Sequence, residues 1–179
     1  VPHRACGIAT KMNPWHEWPV LLALGQLMGA VVGAASAVLA EVWYLEALRD
    51  GKVTRKENKH IAVATHGLRF GMSLVLLSSL GLLVTDYLLG GGRSAVLTPS
   101  YGALFGIIVL IFAISWTMSK RPKTFAWGSL VTFSAWWFMV YLTLGALPID
   151  SLVAAAGIFL GTLLLLSVIL HSARSFARH

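Results

Sequence analysis

Three polar side chains set within long apolar stretches, Glu41, His66 and Arg69, have the types and spacing to do chemistry. A carboxylate, an imidazole and a guanidinium at one depth supply a proton acceptor, a group that titrates near neutrality and a fixed positive charge. That is the equipment of a proton or anion site. His66 and Arg69 are three residues apart, so they share a helical stripe that Thr65 and Ser73 extend. Glu41 precedes the basic residue Arg49 by about as much as His66 and Arg69 follow His60, which puts all three at a matching depth. An unpaired charge there costs several kcal/mol, so a Glu41–Arg69 ion pair with His66 beside it is the expectation. The plainer alternatives are a pair that only fixes helix register, or an Arg69 that snorkels to the surface. Gln26, toward the other end of the same stretch as Glu41, lengthens the polar line.

Other residue sets point to packing or to a cofactor. Trp136 and Trp137 fall about 16 Å into their apolar stretch, too deep for an interfacial belt. They are core residues or a stacking platform for a flat ligand. Gly25, Gly29 and Gly33 recur every four residues, Ala37 continues the row, and Gly67 and Gly71 make a second row. Small residues at this spacing let helix backbones approach closely, which predicts a tight hairpin, with homodimerisation through the first row as the alternative. Haem b would need two axial ligands. His66 faces no histidine at its own depth, so the haem arrangements left open are His66 with an unusual second ligand, or His60 with His171. The lone Cys6 excludes an intramolecular disulfide and a cysteine-based zinc site. There is no G-x-S-x-G elbow, no H-E-x-x-H and no usefully spaced carboxylate pair, so no catalytic residue and no metal site is assigned.

The elements that must position these residues follow from composition. The chain has 179 residues, of which 57% are hydrophobic and 12% charged, against about 25% charged in soluble domains. Mean hydropathy is +0.76. A soluble core is excluded. Five apolar stretches, Trp18–Leu48, Ile61–Leu89, Tyr101–Met118, Phe125–Leu147 and Leu152–His171, match the ~30 Å hydrocarbon layer at 1.5 Å per helical residue. They are too long for barrel strands and lack a period of two. The fold class is therefore all-α, a polytopic bundle of five transmembrane helices in one domain, residues 18–171. An extramembrane segment, residues 1–17, precedes it and a basic tail, residues 172–179, follows it. Residues 1–11 have no apolar signal-peptide region and read as native extension or upstream remnant ahead of Met12.

Basic residues concentrate in alternate links: Arg49, Lys52, Arg55, Lys56 and Lys59 after the first stretch, Lys120, Arg121 and Lys123 after the third, and Arg174 and Arg178 in the tail. The positive-inside rule puts these on the cytoplasmic side, with the N-terminus out and the C-terminus in. The net charge of +7 is thus an anchor to the bilayer surface, and nucleic acid is not a partner. Gly90–Gly92, Pro99, Pro122 and Pro148 punctuate the links, and Trp15, Trp18, Trp43, Tyr44, Tyr87, Tyr101, Trp116 and Trp127 form interfacial belts.

With those residues on view, Gly29–Glu57, ending EVWYLEALRDGKVTRKE, and the later GLRFGMSLVLLSSLGLL resemble a group of small bacterial integral membrane proteins. That group joins a Gly-rich first helix with an inner acidic residue, a basic link with a D-G-K-type turn, and a second helix ending in S-G-L-like residues. Glu41, Asp50, Gly51 and Ser79–Leu82 are the matching positions, and the layout is more distantly similar to copper-resistance-D and HemJ-like membrane proteins. The resemblance covers about a third of the chain. It implies the bacterial inner membrane and no particular activity. HemJ-like proteins carry a histidine within the first apolar helix, whereas His16 here precedes it.

These observations point to a non-enzymatic accessory or transport-type membrane protein with an intramembrane Glu41, His66 and Arg69 cluster. The alternative is a haem-b or quinone-associated redox subunit with His66, Trp136 and Trp137 near the cofactor. The lipid bilayer is the implied partner, and a homo-oligomer or a larger membrane complex is the expected setting.

Overall fold

A computed structural model describes residues 17–50, 55–88, 98–120, 125–147 and 149–177. The expected N-terminal segment up to His16, the glycine run Gly90–Gly92, Pro122, Pro148 and the end of the tail lie outside the described residues. The described chain is all-α, with five helices: α1 Trp18–Asp50, α2 Arg55–Leu88, α3 Pro99–Lys120, α4 Phe125–Thr143 and α5 Leu152–Ala177.

Local chemistry sets several boundaries. Thr98 caps α3, its Oγ1 accepting from the Tyr101 N–H at 3.4 Å, and Pro99 takes the first helical position, where no amide is needed. Ser151 caps α5 in the same way, accepting from the Ala154 N–H at 3.1 Å. α4 stops at Thr143, short of the Leu147 expected from apolarity alone. Gly145 adopts a φ of 64°, its N–H bonds the Leu142 carbonyl, and the Ala146 N–H bonds the Tyr141 carbonyl. This is the Schellman ending, which a left-handed glycine permits. In contrast, α2 begins at Arg55, taking in part of the charged link, and α5 runs on to Ala177, taking in most of the basic tail.

Four helices have segments long and apolar enough to cross a membrane: Trp18–Glu46, Ala62–Leu88, Pro99–Thr117 and Leu152–Phe176. α4, the remaining stretch of the five expected, is the shortest helix, 19 residues, and is as apolar as the others. It is also the most deeply packed: Ser134, Ala135 and Met139 are wholly inaccessible and Trp136 and Phe138 nearly so. The outer helices instead expose leucine, valine and phenylalanine along their length, as with Leu77 on α2, Val109 on α3 and Leu164 on α5. Apolar surface on this scale is foreign to soluble monomers and matches contact with lipid.

Packing is uneven. α1 lies along α2 in the most extensive interface and along α4 in the next, while α3, α4 and α5 pack on one another. Gly29 and Gly71 make the α1–α2 approach. A Cβ at Gly71 would stand 2.7 Å from the Gly29 carbonyl oxygen, and one at Gly29 would stand 2.9 Å from the Gly71 carbonyl oxygen. Gly33 faces another way, against the ring of Trp136 on α4. The first glycine row thus serves two neighbours within one chain. α2 and α3 do not pack along their length. A cleft runs between them, floored by α1 and α4.

Candidate functional site

Near the end of the bundle formed by the C-terminal parts of α1 and α5 and the N-terminal parts of α2 and α4, Glu41 is buried, 5% exposed. Its partner is Arg174 of α5. One guanidinium nitrogen, Nη2, donates to Glu41 Oε1 at 2.7 Å, to Oε2 at 2.8 Å and to Ser129 Oγ of α4 at 2.9 Å. The guanidinium carbon also stands 5.2 Å from the centre of the Tyr44 ring, within cation–π range. Three helices, α1, α4 and α5, are therefore joined by one ionic knot.

This differs from the expected Glu41–Arg69 pair. Arg69 lies near Glu41 in space but is exposed, and among the described residues it enters no ion pair. His66 is exposed on α2, its Nδ1 2.7 Å from the Ala62 carbonyl oxygen one turn earlier. It points out of the site that Glu41 and Arg69 border. Ser73, on the same stripe, donates to the Arg69 carbonyl at 3.0 Å. Arg174 had been placed by sequence in a solvated tail. The signal for its true position was helical spacing: it follows the buried Leu170 by four residues, so a continued helix carries it onto the same inward face.

Beside the ionic knot the cleft widens into a cavity of about 520 Å³. Its polar lining includes Glu41, Arg69 and Ser129, and its apolar lining includes Met72, Ile111 and Phe133. Trp136 and Thr132 also line it, and Trp136 is 1% exposed. Trp137, next in sequence, projects elsewhere, its ring tilted against Phe133 and Tyr141 at centroid distances of 6.5 and 6.4 Å. The two tryptophans thus do not form one stacking platform.

A second cavity, of about 380 Å³, lies toward the opposite end of the bundle, lined in part by Gln26, Asp86, Thr98, Tyr101 and Thr143. Gln26 donates to Ser79 Oγ on α2 at 3.0 Å, and the Tyr101 hydroxyl donates to the Ser79 carbonyl, tying α3 to α2 there. By position along their helices, Ala30, Val75, Ile108 and Met139 lie between the two cavities, and all four are buried. Gly25 faces Ser78 and Gly67 faces Ser36, so these glycines also sit at the α1–α2 interface.

His60 stacks on Trp43, centroids 4.2 Å apart and planes 8° off parallel, while His171 is exposed. Among the described residues no three His, Cys, Asp or Glu side chains converge as metal ligands would. Trp18, Tyr87, Trp116 and Trp127 are exposed near helix ends, the positions of an interfacial belt. Comparison with protein-family models, with curated proteins and with solved structures finds no match to this chain.

Proposed function

We propose that this chain is a small transport-type protein of the bacterial cytoplasmic membrane, without enzymatic activity, with five spans, the N-terminus outside and the C-terminus inside. The observation that carries this reading is the pair of cavities at opposite ends of one cleft, each bordered by a few polar side chains and divided by the buried layer of Ala30, Val75, Ile108 and Met139. Access alternating between two sides needs a polar site toward each side and an apolar barrier between them, and this arrangement supports that reading. The charge distribution supports the orientation, since Arg49, Lys59 and Arg174 fall at the end of the bundle that holds Glu41.

In this reading Glu41 and Arg174 neutralise each other and fix the wall of the site. Arg69, which enters no ion pair among the described residues, is the positive charge that selects anions or raises the barrier to cations.

The test is reconstitution into vesicles loaded with a pH-sensitive dye, with pH and salt gradients imposed in turn. The expected result is that protein-containing vesicles dissipate a gradient faster than empty ones, and that Arg69→Gln removes the difference while the variant still elutes as a folded protein. Equal rates with and without protein across both gradients would overturn the transport reading.

A further inference from the structure

Two residues that line the larger cavity each carry a buried polar atom with no hydrogen-bond partner among the described residues, Trp136 Nε1 and Thr132 Oγ1. The benzo edge of Trp136 is seated against Gly33 of α1, which leaves the indole N–H on the other edge of the ring. A buried donor without an acceptor costs about 1–3 kcal/mol, and an indole N–H can only donate. A ligand that recovers this loss must present an acceptor. Arg69 stands on the same lining, and the nearby carboxylate that could have neutralised it is held by Arg174. The acceptor that suits the site is therefore anionic.

The remainder of the lining is mostly apolar, with Leu68, Met72, Ile111, Phe112 and Phe133 among it. The cleft also opens sideways, because α2 and α3 do not pack along their length and Arg69 and Phe112 are exposed at its edges. At membrane depth that opening faces acyl chains. A ligand arriving by this route needs an apolar body, and a cavity of about 520 Å³ falls in the ~300–1,000 Å³ range of small-molecule sites.

We infer that the cavity binds a single-chain amphipathic oxyanion. A carboxylate or phosphate head pairs with Arg69, a small shift of the side chains that cover Trp136 Nε1 and Thr132 Oγ1 lets these two donate to it as well, and the chain lies along Met72, Phe112 and Phe133. This rests on the placement of the substrate site in this cavity and not on movement of the ligand across the membrane.

Equilibrium binding to the full chain in nanodiscs tests it with four probes of equal chain length: octanoate, octyl phosphate, octanol and octyltrimethylammonium. Saturable binding of octanoate or octyl phosphate, at least about tenfold tighter than octanol and the cation, is the expected result, and the tighter of the two names the head group. Arg69→Gln should weaken it about tenfold and Trp136→Phe and Thr132→Val several-fold. Thr132→Val removes an unpartnered polar atom at nearly constant volume, so its unfolding midpoint should hold or rise while binding falls, whereas Trp136→Phe also leaves a packing void and should lower the midpoint. Equal binding of octanol, no saturable binding beyond empty nanodiscs, or wild-type affinity in Arg69→Gln and Trp136→Phe would each overturn the inference. Binding without flux would sink the transport reading and keep this one; flux without binding of either anion would do the reverse.

Discussion

Arg174 Nη2 bridges both carboxylate oxygens of Glu41 at 2.7 and 2.8 Å, joining residues separated by 133 positions in the chain. The two side chains are 12% and 6% exposed, so neither charge is well solvated. Breaking such a pair by removing one partner typically costs about 3–5 kcal/mol, because it strands the other charge. Arg174→Gln and Glu41→Gln should each lower the unfolding free energy, measured by denaturant titration in detergent, by an amount in that range. The double variant should lose less than the sum of the two, since no charge is then stranded. Strict additivity would show that the pair does not couple α1 to α5.

The α1–α2 interface makes a prediction that separates close approach from glycine content. Gly71→Val places side-chain atoms against the Gly29 carbonyl and the Gly33 backbone, neither of which can move without parting the helices. Overpacking of this kind costs about 1–3 kcal/mol. At Gly106 a Cβ would meet nothing within 4 Å, so Gly106→Ala should be neutral, or stabilising by up to about 1 kcal/mol through helix propensity. Thermal unfolding of both variants checks this, and a silent Gly71→Val would sink the interface.

The turn after α4 offers a local test. Gly145 has a φ of 64°, which L side chains adopt at a cost of about 1–2 kcal/mol. Gly145→Ala should destabilise by about that much, and Gly145→Asn by less, because asparagine tolerates the left-handed region. Equal effects of the two substitutions, measured by chemical unfolding, would argue against this helix ending.

Whether α4 crosses the bilayer is settled by labelling from the two sides. In a Cys6→Ser background, Thr98→Cys before α3 and Ser151→Cys after α4 should react with an impermeant maleimide from the same side, and Ser175→Cys near the end of α5 from the other. If α4 does not cross, positions 98 and 151 fall on opposite sides. Labelling of 98 and 151 from outside intact cells, with 175 protected, supports the N-out orientation.

The amino-acid order alone determined the properties that live within single segments. Apolar stretches of membrane length required helices, because a backbone in lipid must satisfy its own hydrogen bonds. The glycine spacing marked the face of α1 that its neighbours approach, and Pro99, with Thr98 before it, marked the start of α3. The depth of Glu41 and Arg69 was legible too, since depth is a matter of counting residues. Rotation and tilt are not. Whether Glu41 met Arg69 or Arg174 depended on which way α5 turned its last two turns inward, a choice made by the packing of α1, α4 and α5 together. That α5 remained helical past His171 carried Arg174 inside, and nothing local in the tail required it. The cavities are likewise products of tertiary structure: they exist because α2 leans on α1 while α3 packs on α4 and α5. A void is a relation among four helices, and no single segment encodes it.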